Sequence, residues 1–145
     1  MTQTQEFIAK IRSFNRFYTN IIGLLEQRFL DRPYSLTESR VLYEISHMEE
    51  CTAKKIRENL VIDEGYLSRI VDKFIQRGLV KKNQAPQDRR LYIIVLTEKG
   101  RREFQKLNDN SDKSISQLIE KLSDQETEEL VGMMERIQKL LQPPQ

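Results

Sequence analysis

The chain has 145 residues, of which 38% are hydrophobic and 32% charged, with five glycines; this suits one helix-rich domain with its own core and excludes a disordered or low-complexity protein. The single cysteine, Cys51, excludes an internal disulfide framework and a cysteine zinc cage, no apolar run nears the ~20 residues of a membrane span, and the polar start shows no secretory leader, so a cytoplasmic protein without membrane contact is expected. The net charge of +2 conceals a basic middle, with fourteen Lys and Arg against seven Asp and Glu over residues 52–106, between acidic ends, a distribution suited to a polyanion-binding lobe flanked by an assembly lobe.

In chain order, the first predicted helix covers about 5–30. Phe7, Ile11, Phe14, Tyr18, Ile21, Leu25 and Phe29 recur at steps of four and three, a stripe near the coiled-coil period that Ile8 and Ile22 widen. Asp31-Arg32-Pro33 ends it, because a residue before proline resists helical dihedrals. A second helix opens at Leu36-Thr37, with Thr37 as its cap and Val41, Leu42 and Ile45 inward. A short third helix over about 52–59 carries Ala53 and Ile56, with Leu60 following. A fourth opens on the cap Asp63 and closes at Gly78, with Leu67, Ile70, Val71, Phe74 and Ile75 inward.

The period then changes. Residues 79–83 read as a strand, 84–90 as a turn around Pro86, and 91–96 as the returning strand. Thr97 caps a further helix with Gly100 in its first turn, and the polar run 108–112 is a candidate bend. Ser123-Asp124-Gln125-Glu126 is a capping box opening a final helix striped by Leu130, Met133, Met134, Ile137, Leu140 and Leu141, with Pro143-Pro144 as its stop. The expected fold is mainly α with a small β-hairpin wing: a winged helix-turn-helix lobe over 36–100, with 5–35 and 101–142 as dimerisation helices of one domain.

The fourth helix leaves Glu64, Gly65, Tyr66, Ser68, Arg69, Asp72 and Lys73 outward. A helix entering the major groove needs such a first two turns, because bases are read by N-terminal side chains and phosphates by hydroxyls, amides and cations. Gly65 permits close backbone approach, Arg69 suits a guanine edge, and Lys73 suits a phosphate. Lys54 and Lys55 lie on the preceding helix. In the hairpin turn, Arg89 and Arg90 can reach a minor groove, Asp88 can brace an arginine, and Lys81-Lys82 converge on the same edge.

Asp88-x-Arg90 followed by alternating apolar residues into Leu96-Thr97-x-x-Gly100 resembles the signature of the MarR family. Tyr66-Leu67-Ser68-Arg69-x-Val71-x-Lys73, running on to Gly78-Leu79-Val80, is similar to that family's recognition helix and its exit, and Leu36-Thr37-x-x-x-x-Leu42 to its second helix. The resemblance implies a homodimer with interlocked terminal helices on a pseudo-palindromic duplex site, Arg90 as the wing arginine, and release by a small anionic, aromatic or oxidising effector. Residues 14–19, Leu24-Leu25 and 35–44 also resemble the regulator half of proteins that fuse a MarR domain to a GNAT-type acetyltransferase, although no Arg/Gln-x-x-Gly-x-Gly/Ala stretch for coenzyme A is found.

Other residues admit two readings each. Phe14, Phe17, Tyr18 and Tyr43 are core at helical spacing or the lining of an effector pocket, with Arg16, Arg40 and His47 as its polar candidates. Cys51 is a bystander thiol or a redox switch. A lone histidine builds no familiar metal set, and no metal or cofactor is expected. With no GxSxG, HExxH, phosphate loop or carboxylate constellation, the chain is read as a regulator rather than an enzyme. A winged-helix protein-interaction module, or a regulatory partner of an acetyltransferase, is the alternative.

Overall fold

A computed structural model describes residues 2–27 and 34–143 of the chain. In order the elements are α1 (Gln3–Gln27), α2 (Leu36–His47), α3 (Ala53–Asn59), α4 (Glu64–Gln76), β1 (Val80–Gln84), β2 (Tyr92–Leu96), α5 (Glu98–Ile119) and α6 (Asp124–Leu141). Phe29, the expected end of the first helix at Asp31-Arg32-Pro33, and Pro144 lie outside the described residues.

Local chemistry accounts for the helix starts. Ser35, not Thr37, caps α2: its hydroxyl accepts the Glu38 N–H while the Glu38 carboxylate accepts the Ser35 N–H, a reciprocal capping box. Thr52 and Asp63 cap α3 and α4 through single bonds to the amides of Lys55 and Tyr66. Ser123 and Glu126 form the second capping box, at the start of α6. Gly78 follows the end of α4 with φ +74°, the left-handed turn that glycine enters without a Cβ penalty.

The chain divides into two compact units, residues 1–110 and 111–145. In the first, the buried core lies between Tyr34 and Leu107. Val41, Leu42 and Ile45 of α2, Ile56 of α3, and Leu67, Ile70, Val71 and Phe74 of α4 meet Leu79, Val80, Ile94 and Leu96 of the hairpin. Ile75, expected inward, is 38% exposed, because it sits at the edge of the α4 stripe. β1 and β2 pair antiparallel, from Val80 with Leu96 to Gln84 with Tyr92. The Ile94 N–H also donates to the Cys51 carbonyl (2.8 Å), which ties the hairpin to the turn before α3.

The Leu96-Thr97-x-x-Gly100 motif joins the end of α4 to the start of α5. The Thr97 hydroxyl donates to the Gly78 carbonyl (2.6 Å) and accepts the Gly100 N–H (3.0 Å), and the Thr97 N–H donates to the Leu79 carbonyl (2.9 Å). Gly100 is obligatory here, since a Cβ would collide with the Leu79 carbonyl. α5 runs as one helical segment through residues 108–112, the candidate bend. In the second unit, the end of α5 turns into α6, in which no residue is buried.

Candidate nucleic-acid interface

α3, the turn at Leu60–Asp63 and α4 form a helix-turn-helix, followed by the β1–β2 wing. The four buried residues of α4 fix its rotation, so Glu64, Gly65, Tyr66, Ser68, Arg69 and Asp72 face solvent. An ion pair between Arg57 and Glu64 (3.7 Å) spans the two helices at their exposed ends. The Arg69 guanidinium lies over the Tyr66 ring, 5.8 Å from its centroid. Lys54 is exposed, whereas Lys55 donates through Nζ to the Glu50 carbonyl (3.1 Å) and so fastens the turn before α3.

Lys73 differs from the other outward residues. Its Nζ stands 2.8 Å from Glu38 Oε2, a carboxylate that is only 7% exposed. Lys73, a phosphate candidate from its place on α4, pairs here with Glu38, whose Ser35-x-x-Glu38 spacing marks a capping box. Burial would raise the Glu38 carboxyl, but hydrogen bonds from Lys73 and from the Ser35 N–H outweigh it and hold the group below its ordinary value. The α2 cap and α4 thus share one carboxylate, with which Lys73 pairs.

At the wing tip, Asp88 braces Arg90. Its Oδ1 accepts the Arg90 backbone N–H (3.0 Å) and side-chain Nε (3.2 Å), and its Oδ2 faces Nη2 at 3.4 Å. The side-chain bonds from Arg90, then the backbone bond, lower the Asp88 pKa. Outside this fork the Arg90 side chain is 91% exposed. Arg89 is exposed beside it, and its carbonyl accepts from Gln84 Nε2 (3.4 Å).

The residues offered as an effector pocket fall into two groups. Tyr43 and His47 come together: their rings stack at 3.9 Å, Phe104 lies edge-on to His47 at 5.9 Å, and His47 Nδ1 is 2.9 Å from the Tyr43 carbonyl. Tyr18 stacks instead on Phe14 one turn away on α1 (5.7 Å), and Arg16 is exposed on the same helix. No hydrogen bond, ion pair or ring contact among the described residues joins the two groups. Cys51 is buried, and desolvation, then Glu44, pushes its thiol up to about 11. Among the described residues no group of three or more His, Cys, Asp or Glu could hold a metal ion, and no helix is long and apolar enough to cross a membrane.

A helix-turn-helix with an exposed polar second helix, followed by a hairpin whose turn carries a braced arginine, defines the winged helix-turn-helix architecture. The pattern of the MarR family matches residues 34–92. The chain is 25% identical over 134 residues to the HTH-type transcriptional regulator MhqR of Bacillus subtilis, covering 92% of each. It is 26% identical over 89 residues to the HTH-type transcriptional regulator BilQ of Clostridium symbiosum, covering 61% of this chain and 62% of that one, a little under two thirds of the relative's length. Wild-type MarR from E. coli in its apo form shares the fold at a TM-score of 0.76 with 20% identity, covering 87% of this chain and 94% of that one. CouR from Rhodococcus jostii RHA1 bound to p-coumaroyl-CoA does so at 0.73 with 21% identity, covering 90% of each. The match to the MarR family thus spans residues 34–92, the helix-turn-helix and the wing, and the chain has the winged-helix fold of these solved structures.

Proposed function

We propose that the chain is a dimeric, cytoplasmic repressor without enzymatic activity. It binds a pseudo-palindromic duplex site with the first two turns of α4 in successive major grooves and the wing arginine in the flanking minor groove. The observation that carries this reading is the exposed α4 face, Gly65, Tyr66, Ser68 and Arg69, set one hairpin away from the braced Arg90. Lys54 and Arg89 supply further phosphate contacts. Lys73 braces the helix through Glu38, and its half-exposed ammonium keeps further donors for a phosphate.

Dimerisation is supported by apolar side chains left exposed on both terminal helices: Phe7, Ile11, Phe14 and Phe17 on α1, and Met133, Leu140 and Leu141 on α6. A second copy of the chain covers them. Release by a small anionic or aromatic effector is supported by the stacked Tyr43–His47–Phe104 cluster and by CouR, a protein of the same fold that holds an acyl-coenzyme A thioester. An association with a GNAT-type acetyltransferase rests on residues 14–19, Leu24-Leu25 and 35–44. A gel shift on the gene's own upstream region, followed by footprinting, tests the main reading. Two protected major-groove segments about one helical turn apart, or a small multiple, are expected. No shift at low salt, or a single isolated half-site, overturns it.

A further inference from the structure

Arg69 and Arg90 are held in opposite ways. Asp88 grips Arg90 by its edge and occupies Nε and Nη2. Arg69 has no ion pair or hydrogen bond from its guanidinium among the described residues; what lies against it is the Tyr66 ring, 5.8 Å from the centroid. A ring attracts a guanidinium through its quadrupole and accepts no conventional hydrogen bond from it, so the N–H donors stay available. Those donors are the groups that bind guanine O6 and N7 as a pair.

The local sequence favours this placement. Helical side chains lean toward the N-terminus, so a residue in the second turn displays its end group over the first. Tyr66 stands three residues before Arg69, on the same helix face. Position 65 has no Cβ; one placed there would come 3.7 Å from Arg69 Nη1 and 3.2 Å from Asp63 Oδ2. The cap carboxylate is engaged by the Tyr66 N–H (3.0 Å) and forms no ion pair with Arg69. The guanidinium is therefore steadied at the end of α4 that enters the groove, without loss of its donors.

We propose that Tyr66 is a specificity-determining positioning residue: its ring pre-orients Arg69, so that the guanine preference of each half-site depends on the pair rather than on the arginine alone. This rests on the reading of α4 as the base-reading helix. At an exposed site, a cation–π contact of this kind corresponds to about a two- to five-fold change in binding.

The test uses the full-length dimer, a random duplex library, and the variants Tyr66→Phe, Tyr66→Leu and Arg69→Ala. Each selected site pattern is read as base preference per position, with salt dependence measured on the wild-type consensus. Arg69→Ala is expected to erase guanine preference at one position per half-site. Tyr66→Leu should weaken preference at that same position by about two- to five-fold with an unchanged salt slope, and Tyr66→Phe should retain it. Without DNA, the Arg69 guanidinium resonances should show a ring-current shift that Phe keeps and Leu removes. If Tyr66→Leu leaves the guanine preference intact, or if Phe loses as much as Leu, the inference is overturned. If Arg69→Ala leaves the site pattern unchanged, the base-reading role of α4 fails, while the ring-current comparison still judges the pairing by itself.

Discussion

Asp88 and Cys51 show how surroundings move titratable groups in opposite directions. Asp88 lies at the wing surface, where bonds from Arg90 depress its pKa. A lowered carboxyl contributes above its ordinary value and loses that contribution as pH falls through the depressed one. The Asp88–Arg90 fork should therefore be intact at neutral pH and open only in acid. A joint NMR titration of the Asp88 carboxyl and the Arg90 Nε signal checks this; Arg90 shifting near neutrality would contradict it. At neutral pH Asp88→Asn should weaken DNA affinity by up to about five-fold, the scale of an exposed ion pair. Cys51 is buried, and its thiol is raised to about 11, so almost none is thiolate at neutral pH. Alkylation of the native protein should be slow and should accelerate sharply in denaturant, and peroxide should leave DNA affinity unchanged. Rapid native labelling would restore the redox reading.

At the scale of elements, two contacts join segments far apart in sequence. The Thr97-x-x-Gly100 junction brings the first turn of α5 against the Leu79 carbonyl. Gly100→Ala must push that backbone aside, and the expected cost is about 1–3 kcal/mol of stability, read from the denaturant midpoint. An unchanged midpoint would mean that the junction relaxes freely. The Glu38–Lys73 pair ties the α2 cap to α4. Lys73→Ala strands a buried carboxylate and should cost about 1–2 kcal/mol, discounted because the lysine itself is half-exposed. The double variant with Glu38→Gln should recover much of this loss, and simple additivity would deny the coupling. Since the Glu38 carboxyl is held below its ordinary value, the contribution is present above the carboxylate range and is lost on acidification through the lowered value.

For the whole molecule, the decisive quantity is apolar surface. Leu140 and Leu141 are 64% and 77% exposed, and Phe7, Ile11 and Phe17 are each more than half exposed. Faces of this size on a monomer favour association, so sedimentation should show a dimer with no stable monomer, and deletion of residues 135–145 should give aggregation or unfolding. A folded monomer in dilute solution would contradict this. The basic middle of the chain predicts affinity that falls steeply with salt as counterions are released. A flat dependence would favour a protein partner over DNA.

The order of elements, the caps at Asp63 and Ser123, the buried set Leu67, Ile70, Val71 and Phe74, and the turn at Gly78 were legible in the sequence, because each depends on neighbours within about four residues. The Asp88–Arg90 brace was legible for the same reason, its partners being two residues apart. The choice of Ser35 over Thr37 as the α2 cap was present as a local signal but competed with an equally good one. What only the tertiary structure decided is which side chains answer one another across long separations. Periodicity put Lys73 on an outward face but could not place the buried Glu38 carboxylate opposite it, and it made Tyr18 and Tyr43 equivalent aromatics although one stacks on Phe14 and the other on His47. A helical period specifies the face a residue occupies, whereas an ion pair or ring contact depends on a distance that is set when separate helices pack.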